Sequence, residues 1–333
     1  MKLPELRIGR LTARLPIIQG GMSVRVSTSS LAAAVTECGG IGTIGGTGLP
    51  VEDLRADIHR ARQLTTGIIA VNVMFAARAF MDLVLAAIDA GADMIVTGAG
   101  FSRDVFKVGR EYDVPIVSIV SSPDFARLAE RSGAAAIVVE AGEAGGHLGT
   151  ERPLRELFPE CRGVVSKVPL IAAGGITDGY DIAEMMGRYG ADGVQMATRF
   201  VLTEECDVAP EFKQRYARAT KEDVVIIHSP VGMPGRALRN PLVDRLEAGE
   251  PVSDGPCRRS CLKSCDRSFC INDRLDLARD GDVDEGLVFA GANVWRCTGR
   301  PSVEELMDRL VAEAESVYAP GGDQAGLRPA VST

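Results

Sequence analysis

Eight short apolar runs divide the first 200 residues of this 333-residue chain. Several are nearly continuous stretches of Val, Ile and Ala, which is typical of strands buried on both faces of a parallel sheet. Between them lie segments with apolar positions at helical spacing, such as Phe80–Ile88 and Asp181–Met186. The runs are Leu15–Met22, Gly40–Gly46, Gly67–Phe75, Asp93–Gly100, Pro115–Val120, Ala135–Ala141, Pro169–Ile176 and Gly193–Phe200.

Glycine marks the ends of three of the predicted helices. Gly91, Gly133 and Gly190 each precede an alanine near the start of the next run, and glycine tolerates the left-handed conformation that ends a helix. Strand–helix units repeated eight times indicate an α/β fold of the (β/α)8 TIM-barrel type. An open doubly wound sheet is the alternative, but it would need a glycine-rich first turn that Gln19–Met22 fits poorly.

The chain changes in character after Phe200. Residues 206–290 are charged and cysteine-rich without evident strand runs, so we predict a smaller, mainly helical inserted lid domain there. Small apolar residues return at 286–293, and Ser302–Val317 begins like a helix with a capping box. The barrel is therefore predicted over 1–205 and 291–318, and a disordered tail over 319–333.

Charge and hydropathy limit the classes of partner. Lys and Arg number 37 against 45 Asp and Glu, a net charge of −8. This balance disfavours nucleic acid or an anionic membrane surface as the main partner. No apolar run approaches the roughly 18 residues of a membrane span, and the first residues lack the apolar core of a secretory signal. We expect a cytoplasmic enzyme acting on a small molecule, with its oligomeric state open.

A histidine surrounded by glycines follows the sixth run. Four glycines between residues 142 and 149 flank His147, and barrels have their reactive groups in loops after the strands. A lone histidine is more often a structural hydrogen-bonding group. The glycines favour a catalytic His147, because imidazole gains or loses a proton near neutral pH. For Glu143 in the same loop, a functional role and a solvated loop carboxylate are the two alternatives, and we favour the solvated carboxylate.

The loops after four other runs have the residue types of a ligand site. Gly174 and Gly175 follow the seventh run, and Gln195–Thr198 ends the eighth. Exposed backbone N–H groups in these two loops often bind a phosphate in barrels, although a plain tight turn is the alternative for the glycine pair. Asn72 can hydrogen-bond a heterocycle, and Met22 can cover a flat ring or simply fill the core.

Together, these motifs resemble the nitronate monooxygenase (2-nitropropane dioxygenase) family, which includes the flavin-dependent enoyl-ACP reductases. The matching segments are residues 16–22, 72, 143–149, 172–176, 193–200 and 235–240. The resemblance implies an FMN-binding barrel with a helical lid, and His147 matches the family's catalytic histidine. The residues expected to bind FMN are Gly21, Met22, Asn72, Glu140, Gly145, Gly146, Gly174, Gly175, Gln195, Met196, Ala197 and Thr198.

The activity implied first is the oxidation of an alkyl nitronate with O2, in which His147 is a base or charge partner. The alternative is an enoyl-thioester reductase that uses NAD(P)H, in which His147 positions the substrate or supplies a proton. Glu140 stands where the nitronate enzymes have Gln, as in the reductase-like branch, and Ala197 where Gly is usual. A redox sensor without turnover is a third interpretation, and His147 argues against it.

Four cysteines lie within fourteen residues: Cys257, Cys261, Cys265 and Cys270. The spacing of four places the first three on one helical face, or in a tight loop around a metal. The lack of a secretion signal disfavours disulfides, and free thiols at this density are open to oxidation. Ligation of a [4Fe–4S] cluster, or less favourably of zinc, is the alternative to free thiols, although the spacing is not the usual Cys-x2-Cys.

Overall fold

The computed structural model describes residues 1–252 and 255–318. Its strands are β1 (Leu6–Ile8), β2 (Leu11–Ala13), β3 (Ile17–Gln19), β4 (Gly42–Gly45), β5 (Ile69–Met74), β6 (Met94–Gly98), β7 (Ile116–Val120), β8 (Ala136–Glu140), β9 (Gly146–His147), β10 (Leu170–Ala173), β11 (Gly193–Met196), β12 (Val224–His228) and β13 (Pro234–Leu238).

The described residues also form helices that alternate with most of these strands. They are α1 (Ser29–Glu37), α2 (Val51–Leu64), α3 (Phe80–Asp89), α4 (Arg103–Glu111), α5 (Pro123–Ser132), α6 (Leu154–Arg162), α7 (Gly179–Gly187), α8 (Thr198–Val201), α9 (Pro210–Ala217), α10 (Pro241–Glu247), α11 (Ile271–Arg279) and α12 (Val303–Val317), with a 3-10 turn at Val294–Arg296.

Eight parallel strands form the predicted barrel. Their order is β3-β11-β10-β8-β7-β6-β5-β4, and a parallel bridge between Ile18 and Ile41 joins the two ends of the sheet. Each of the eight apolar runs contains one of these strands. Gly91, Gly133 and Gly190 have φ of +95°, +98° and +71°, so the predicted left-handed helix ends are confirmed.

An N-terminal hairpin of β1 and β2 closes one end of the barrel. Leu6, Ile8 and Leu11 are buried in the same apolar cluster as the inward-facing side chains of the barrel strands. The turn of the hairpin places Gly9 against Pro115 and Ala135, which lie just before β7 and β8. The hairpin therefore fills the end of the barrel where the strands begin. The sequence analysis did not predict it, because its two strands have three residues each.

The segment 206–290 contains helices α9, α10 and α11 and also two strands. β12 and β13 pair with each other, and β13 pairs with β9 from the histidine loop, so Gly235 lies opposite His147. The expectation that this segment lacks strands is therefore wrong. Only one face of this small sheet is buried: Ile227 is 4% exposed and its neighbour Ile226 is 46% exposed. The domain boundaries at 205 and 291 stay a prediction.

Helix α12 returns the chain to the barrel and packs against α7 and α1. Its predicted capping box is confirmed: the Glu305 N–H donates to the Ser302 hydroxyl at 3.1 Å, and the Ser302 N–H donates to the Glu305 carboxylate at 3.0 Å. The predicted tail over 319–333 lies outside the described residues. Within the described ranges, no helix combines the length and apolar character needed to cross a membrane.

Candidate active site

A cavity of about 320 Å³ lies where the barrel strands end and the segment 206–290 covers them. The loops after β3, β5, β8 and β11 supply one wall, and apolar side chains of α9, α11 and the 231–233 turn supply another. Ten of the predicted site residues line it: Gly21, Met22, Asn72, Glu140, Gly145, Gly146, His147, Gln195, Ala197 and Thr198.

A narrower niche of about 60 Å³ adjoins the cavity and shares part of its wall. It is lined by the loops after β8, β10 and β11, with the predicted residues Gly174, Gly175 and Met196. Gly174 and Gly175 have φ of +109° and +73°, as a tight turn requires. The same loop also lines the niche, so the tight turn and a ligand-binding loop are not exclusive alternatives. Asn293 fixes this loop, because its amide donates to the Gly175 carbonyl at 2.7 Å.

His147 lies half-buried on β9, between the barrel and the inserted hairpin. Its Nε2 atom is 2.7 Å from the hydroxyl of Ser229, and its ring meets that of Phe289 edge-on at 5.2 Å between centroids. Burial lowers the pKa of His147 to about 4. The imidazole is therefore neutral at neutral pH, with one nitrogen that bears a proton and one that does not.

Three polar side chains reach the cavity from the ends of barrel strands. Asn72, Glu140 and Gln195 line it with their amide and carboxyl groups. Burial raises the pKa of Glu140 to about 7. These groups are available to hydrogen-bond a polar ligand at the wall of the cavity.

The interpretation of Glu143 as a solvated carboxylate is wrong. Its oxygens accept the Leu154 N–H at 3.0 and 3.2 Å, at the first turn of α6, and burial raises its pKa. Arg236 from β13 holds the same loop, since its guanidinium donates to the carbonyls of Gly142 at 2.5 Å and Ala144 at 3.1 Å. Glu143 and Arg236 therefore fix the loop that precedes His147.

The family of the chain follows from comparison with known proteins. A family model described as nitronate monooxygenase matches residues 5–313. The chain belongs to the nitronate monooxygenase family. This result, with the barrel that surrounds the site, confirms the resemblance found in the sequence.

Three similar proteins show the range of this family. A Mycobacterium tuberculosis protein named (3aS,4S,5R,7aS)-5-hydroxy-7a-methyl-1-oxo-octahydro-1H-indene-4-carboxyl-CoA dehydrogenase is 31% identical, over 90% of this chain and 92% of its own. A probable nitronate monooxygenase of Staphylococcus saprophyticus is 25% identical, over 95% and 99%. The structure of FabK from Thermotoga maritima has a TM-score of 0.81 and 31% identity, over 90% and 93%.

The residues present fit FMN, the cofactor that the nitronate monooxygenase resemblance implies. FMN has a phosphate and a flat ring with polar edges. The niche suits the phosphate in size, and the larger cavity, with polar side chains at its edge, suits the ring. Gly21 is needed for the cavity's shape, because a Cβ atom there would lie 2.4 Å from that of Asn72. The binding roles of the individual residues stay predictions, although all twelve line the niche or the cavity.

The four clustered cysteines are not among the residues that line the niche or the cavity. The stretch from Cys257 to Cys265 is irregular chain, so the helical-face option is wrong. No disulfide joins any of the cysteines in the described residues. Among residues 1–252 and 255–318, no group of three or more His, Cys, Asp or Glu side chains is arranged to hold a metal ion. The described geometry thus does not fit an iron–sulfur or zinc site, and no metal enters the chemistry proposed below.

The cysteine segment nevertheless reaches the active site through its backbone. The Arg78 N–H donates to the Cys261 carbonyl at 2.8 Å, and the Lys263 N–H donates to the Ala76 carbonyl at 2.9 Å. Leu262 between them lines the cavity. The segment therefore packs on the chain after β5 as part of the cavity wall.

Several cavity residues were missed by the sequence analysis. They come mostly from the segment 206–290 and the residues just after it: besides Ser229, which contacts His147 without lining the cavity, they include Met233, Tyr216, Phe289 and Asn293. Tyr216 and Phe289 are joined by a hydrogen bond from the tyrosine hydroxyl to the Phe289 carbonyl. The return of small apolar residues near 286–293 was a signal for the last two. Nothing in the sequence distinguishes Ser229 from other serines.

Replacing Glu140 with Gln should stabilise the protein in a pH-dependent way. The folded-state pKa of about 7 lies above the ordinary glutamate pKa of 4.5. The unfolded state therefore releases the proton first, and the carboxyl lowers stability progressively as pH rises from 4.5 through 7. Relative to the parent, E140Q should gain about 1–3 kcal/mol of unfolding free energy at pH 8 and almost none near pH 4.5.

Denaturant unfolding of both proteins across this pH range measures the difference. E151Q, which changes an exposed carboxylate of the neighbouring loop, is the matched control and should give a difference near zero throughout. A gain for E140Q that is equal at low and high pH would show that Glu140 is not a buried acid.

Proposed function

We propose that this chain is an FMN-dependent oxidoreductase that acts on an apolar small molecule beside His147. One observation supports this most strongly: a phosphate-sized niche, a larger apolar cavity and a neutral imidazole share one end of the barrel. A flavin-binding sensor of redox state would also use the niche, but it would have no evident use for the imidazole at the cavity wall.

The residues of the chain divide the work of binding and proton transfer. Bound FMN would supply two-electron redox chemistry at the cavity wall. Gly174, Gly175 and Gln195–Thr198 would hold its phosphate with backbone and hydroxyl groups, and Asn72 and Glu140 would hydrogen-bond the polar edges of its ring. Phe289 and its apolar neighbours exclude water. His147 exchanges one proton with the substrate.

The reaction best supported is the reduction of an enoyl thioester with NAD(P)H as electron donor. The cavity is wide and mostly apolar, with Phe101, Met233, Leu262 and Leu275 beyond the polar edge, which suits a bulky hydrocarbon acyl group. The M. tuberculosis relative, at 31% identity, is named for an acyl-CoA substrate. After hydride addition the carbon beside the thioester carbonyl needs a proton, and we assign its transfer to His147, which lines the cavity.

Positive charge near Leu262 fits the phosphates of a carrier such as coenzyme A. Arg258, Lys263 and Arg267 are exposed in the segment that packs beside the cavity, while the chain as a whole has a net charge of −8. Cations placed next to a cavity attract anionic ligands. The KM for a CoA thioester should therefore lie below that for the same acyl group on an uncharged thiol.

Oxidation of an alkyl nitronate with O2 is the second candidate. Its support is the match to the nitronate monooxygenase model over residues 5–313. In this reaction the substrate is an anion, and His147 would donate a hydrogen bond to its negatively charged oxygens rather than a proton to carbon. A small nitronate would fill little of the cavity.

Anaerobic reduction of the bound flavin separates the two reactions. We expect NADH or NADPH to bleach the yellow protein quickly, and a branched enoyl-CoA then to restore the colour. Rapid bleaching by propionate 3-nitronate, with no response to either nicotinamide, would instead select nitronate oxidation. Protein that is colourless after FMN is added would reject both.

A further inference from the structure

Ser229 makes the one side-chain hydrogen bond of His147 within the described residues. The serine is fully buried in the turn between β12 and β13, and its hydroxyl lies 2.7 Å from Nε2 of the imidazole. The turn holds the serine in place: the Ser229 N–H donates to the Met233 carbonyl at 3.1 Å, and the Gly232 N–H donates to the Ser229 carbonyl at 2.9 Å. The hydroxyl is thus a fixed partner of the ring.

The direction of this hydrogen bond follows from the groups available to the hydroxyl. The Val231 N–H donates to the Ser229 oxygen at 3.5 Å. An N–H group is a donor, so Val231 cannot accept the proton of the serine hydroxyl. In the described part of the chain the imidazole Nε2 is the acceptor left for the hydroxyl proton. If Nε2 were protonated instead, that buried hydroxyl proton would lose its partner, at a cost of about 1–3 kcal/mol.

We propose that Ser229 is a positioning residue that holds His147 in the tautomer protonated on Nδ1, so that the imidazole meets the substrate as a proton donor. Nε2 is occupied by the serine, so Nδ1 is the ring nitrogen left for a ligand. Burial keeps the ring neutral, so this proton is the one it can give. The electron pair of the broken N–H bond stays on the ring as an imidazolate, which takes a proton from water before the next turnover. The catalytic part rests on the proposed function, whereas the tautomer itself does not.

This assignment also explains why the inserted hairpin pairs with the histidine loop. β13 pairs with β9 through Gly235 opposite His147, and the Leu148 N–H donates to the Pro234 carbonyl at 2.8 Å. The backbone pairing fixes the distance between the histidine and the turn that contains Ser229. The segment 206–290 thereby sets the tautomer of a histidine that lies in a loop of the barrel.

Nitrogen NMR of protein labelled only in histidine tests the tautomer directly. The chain has three histidines, so the spectrum is simple, and H147Q identifies the signals of His147. On the FMN-loaded protein at pH 7.5 we expect the pattern of an Nδ1–H imidazole. In S229A this preference should be lost, while S229T, which keeps a hydroxyl, should retain it. An Nε2–H imidazole in the parent, or an unchanged pattern in S229A, would overturn the proposal.

Kinetics test whether the tautomer matters for turnover. S229A should lower kcat about 10- to 100-fold with FMN content unchanged, and S229T should recover most of it. A hydrogen bond donated to Nε2 favours the neutral ring. Its loss should therefore raise the pKa of His147 and move the acid limb of the pH profile to higher pH. Unchanged kcat and pH profile in S229A would refute the catalytic part. A parent without redox activity would refute the proposed function and leave the NMR result readable.

Discussion

Replacing His147 with Ala should lower turnover about 10²- to 10⁴-fold, the usual contribution of a positioned proton donor or acceptor. The flavin should stay bound, because nearly all the predicted FMN-binding residues lie in the niche or at the ends of barrel strands rather than on β9, and their backbone is unchanged by the substitution. Steady-state rates with the best substrate, combined with the flavin content from visible absorbance, measure the two effects separately.

Two matched variants show whether the loss belongs to the imidazole. H147Q keeps a polar side chain beside Phe289 and should be nearly as inactive as H147A, because an amide does not transfer protons at neutral pH. H59A removes an exposed histidine of α2 and should retain the parent rate. Full activity in H147A, or complete loss of flavin from it, would contradict the assignment.

A negative charge placed at Ala197 should abolish cofactor binding. Ala197 lines both the niche and the cavity, and its φ of −121° accepts a larger side chain without backbone strain. The carboxylate of A197D would face the phosphate of FMN. Like charges about 4 Å apart repel by about 4 kcal/mol near a protein surface, so the affinity for FMN should fall by two orders of magnitude or more.

A197N separates charge from size in this experiment. Asn and Asp have almost the same volume, so the asparagine variant introduces the steric change without the charge. Its FMN affinity, measured by fluorescence titration of protein stripped of flavin, should lie much closer to that of the parent. Equal losses in A197D and A197N would mean that the niche does not hold the phosphate.

The barrel could be predicted from the sequence because its signals are local. A strand buried on both faces is apolar at every position, and each run from Leu15–Met22 to Gly193–Phe200 contains one strand of the sheet. Helix ends at glycines such as Gly133 are equally local, since one residue must adopt a positive φ. The loops after these strands converge at one end, which is why the predicted glycines and His147 line adjoining spaces.

The inserted segment was harder to predict because its strands pair with residues that are distant in the sequence. β12 and β13 bury one face only, and β13 completes its sheet with β9, almost ninety residues earlier in the chain. Ser229 contributes through a contact with His147 that spacing does not reveal. The cysteine spacing suggested a ligand set or a helix, but an irregular chain can place thiols at any separation.

The hairpin of β1 and β2 has a consequence for the order of events in a catalytic cycle. Leu6, Ile8 and Leu11 fill the end of the barrel where the strands begin. All small molecules that reach the cavity therefore enter and leave at the opposite end, where the strands finish. Under the proposed oxidoreductase function, we therefore expect the electron donor to leave the cavity before the electron acceptor enters it. Double-reciprocal plots should be parallel, and each reactant in excess should compete with the other.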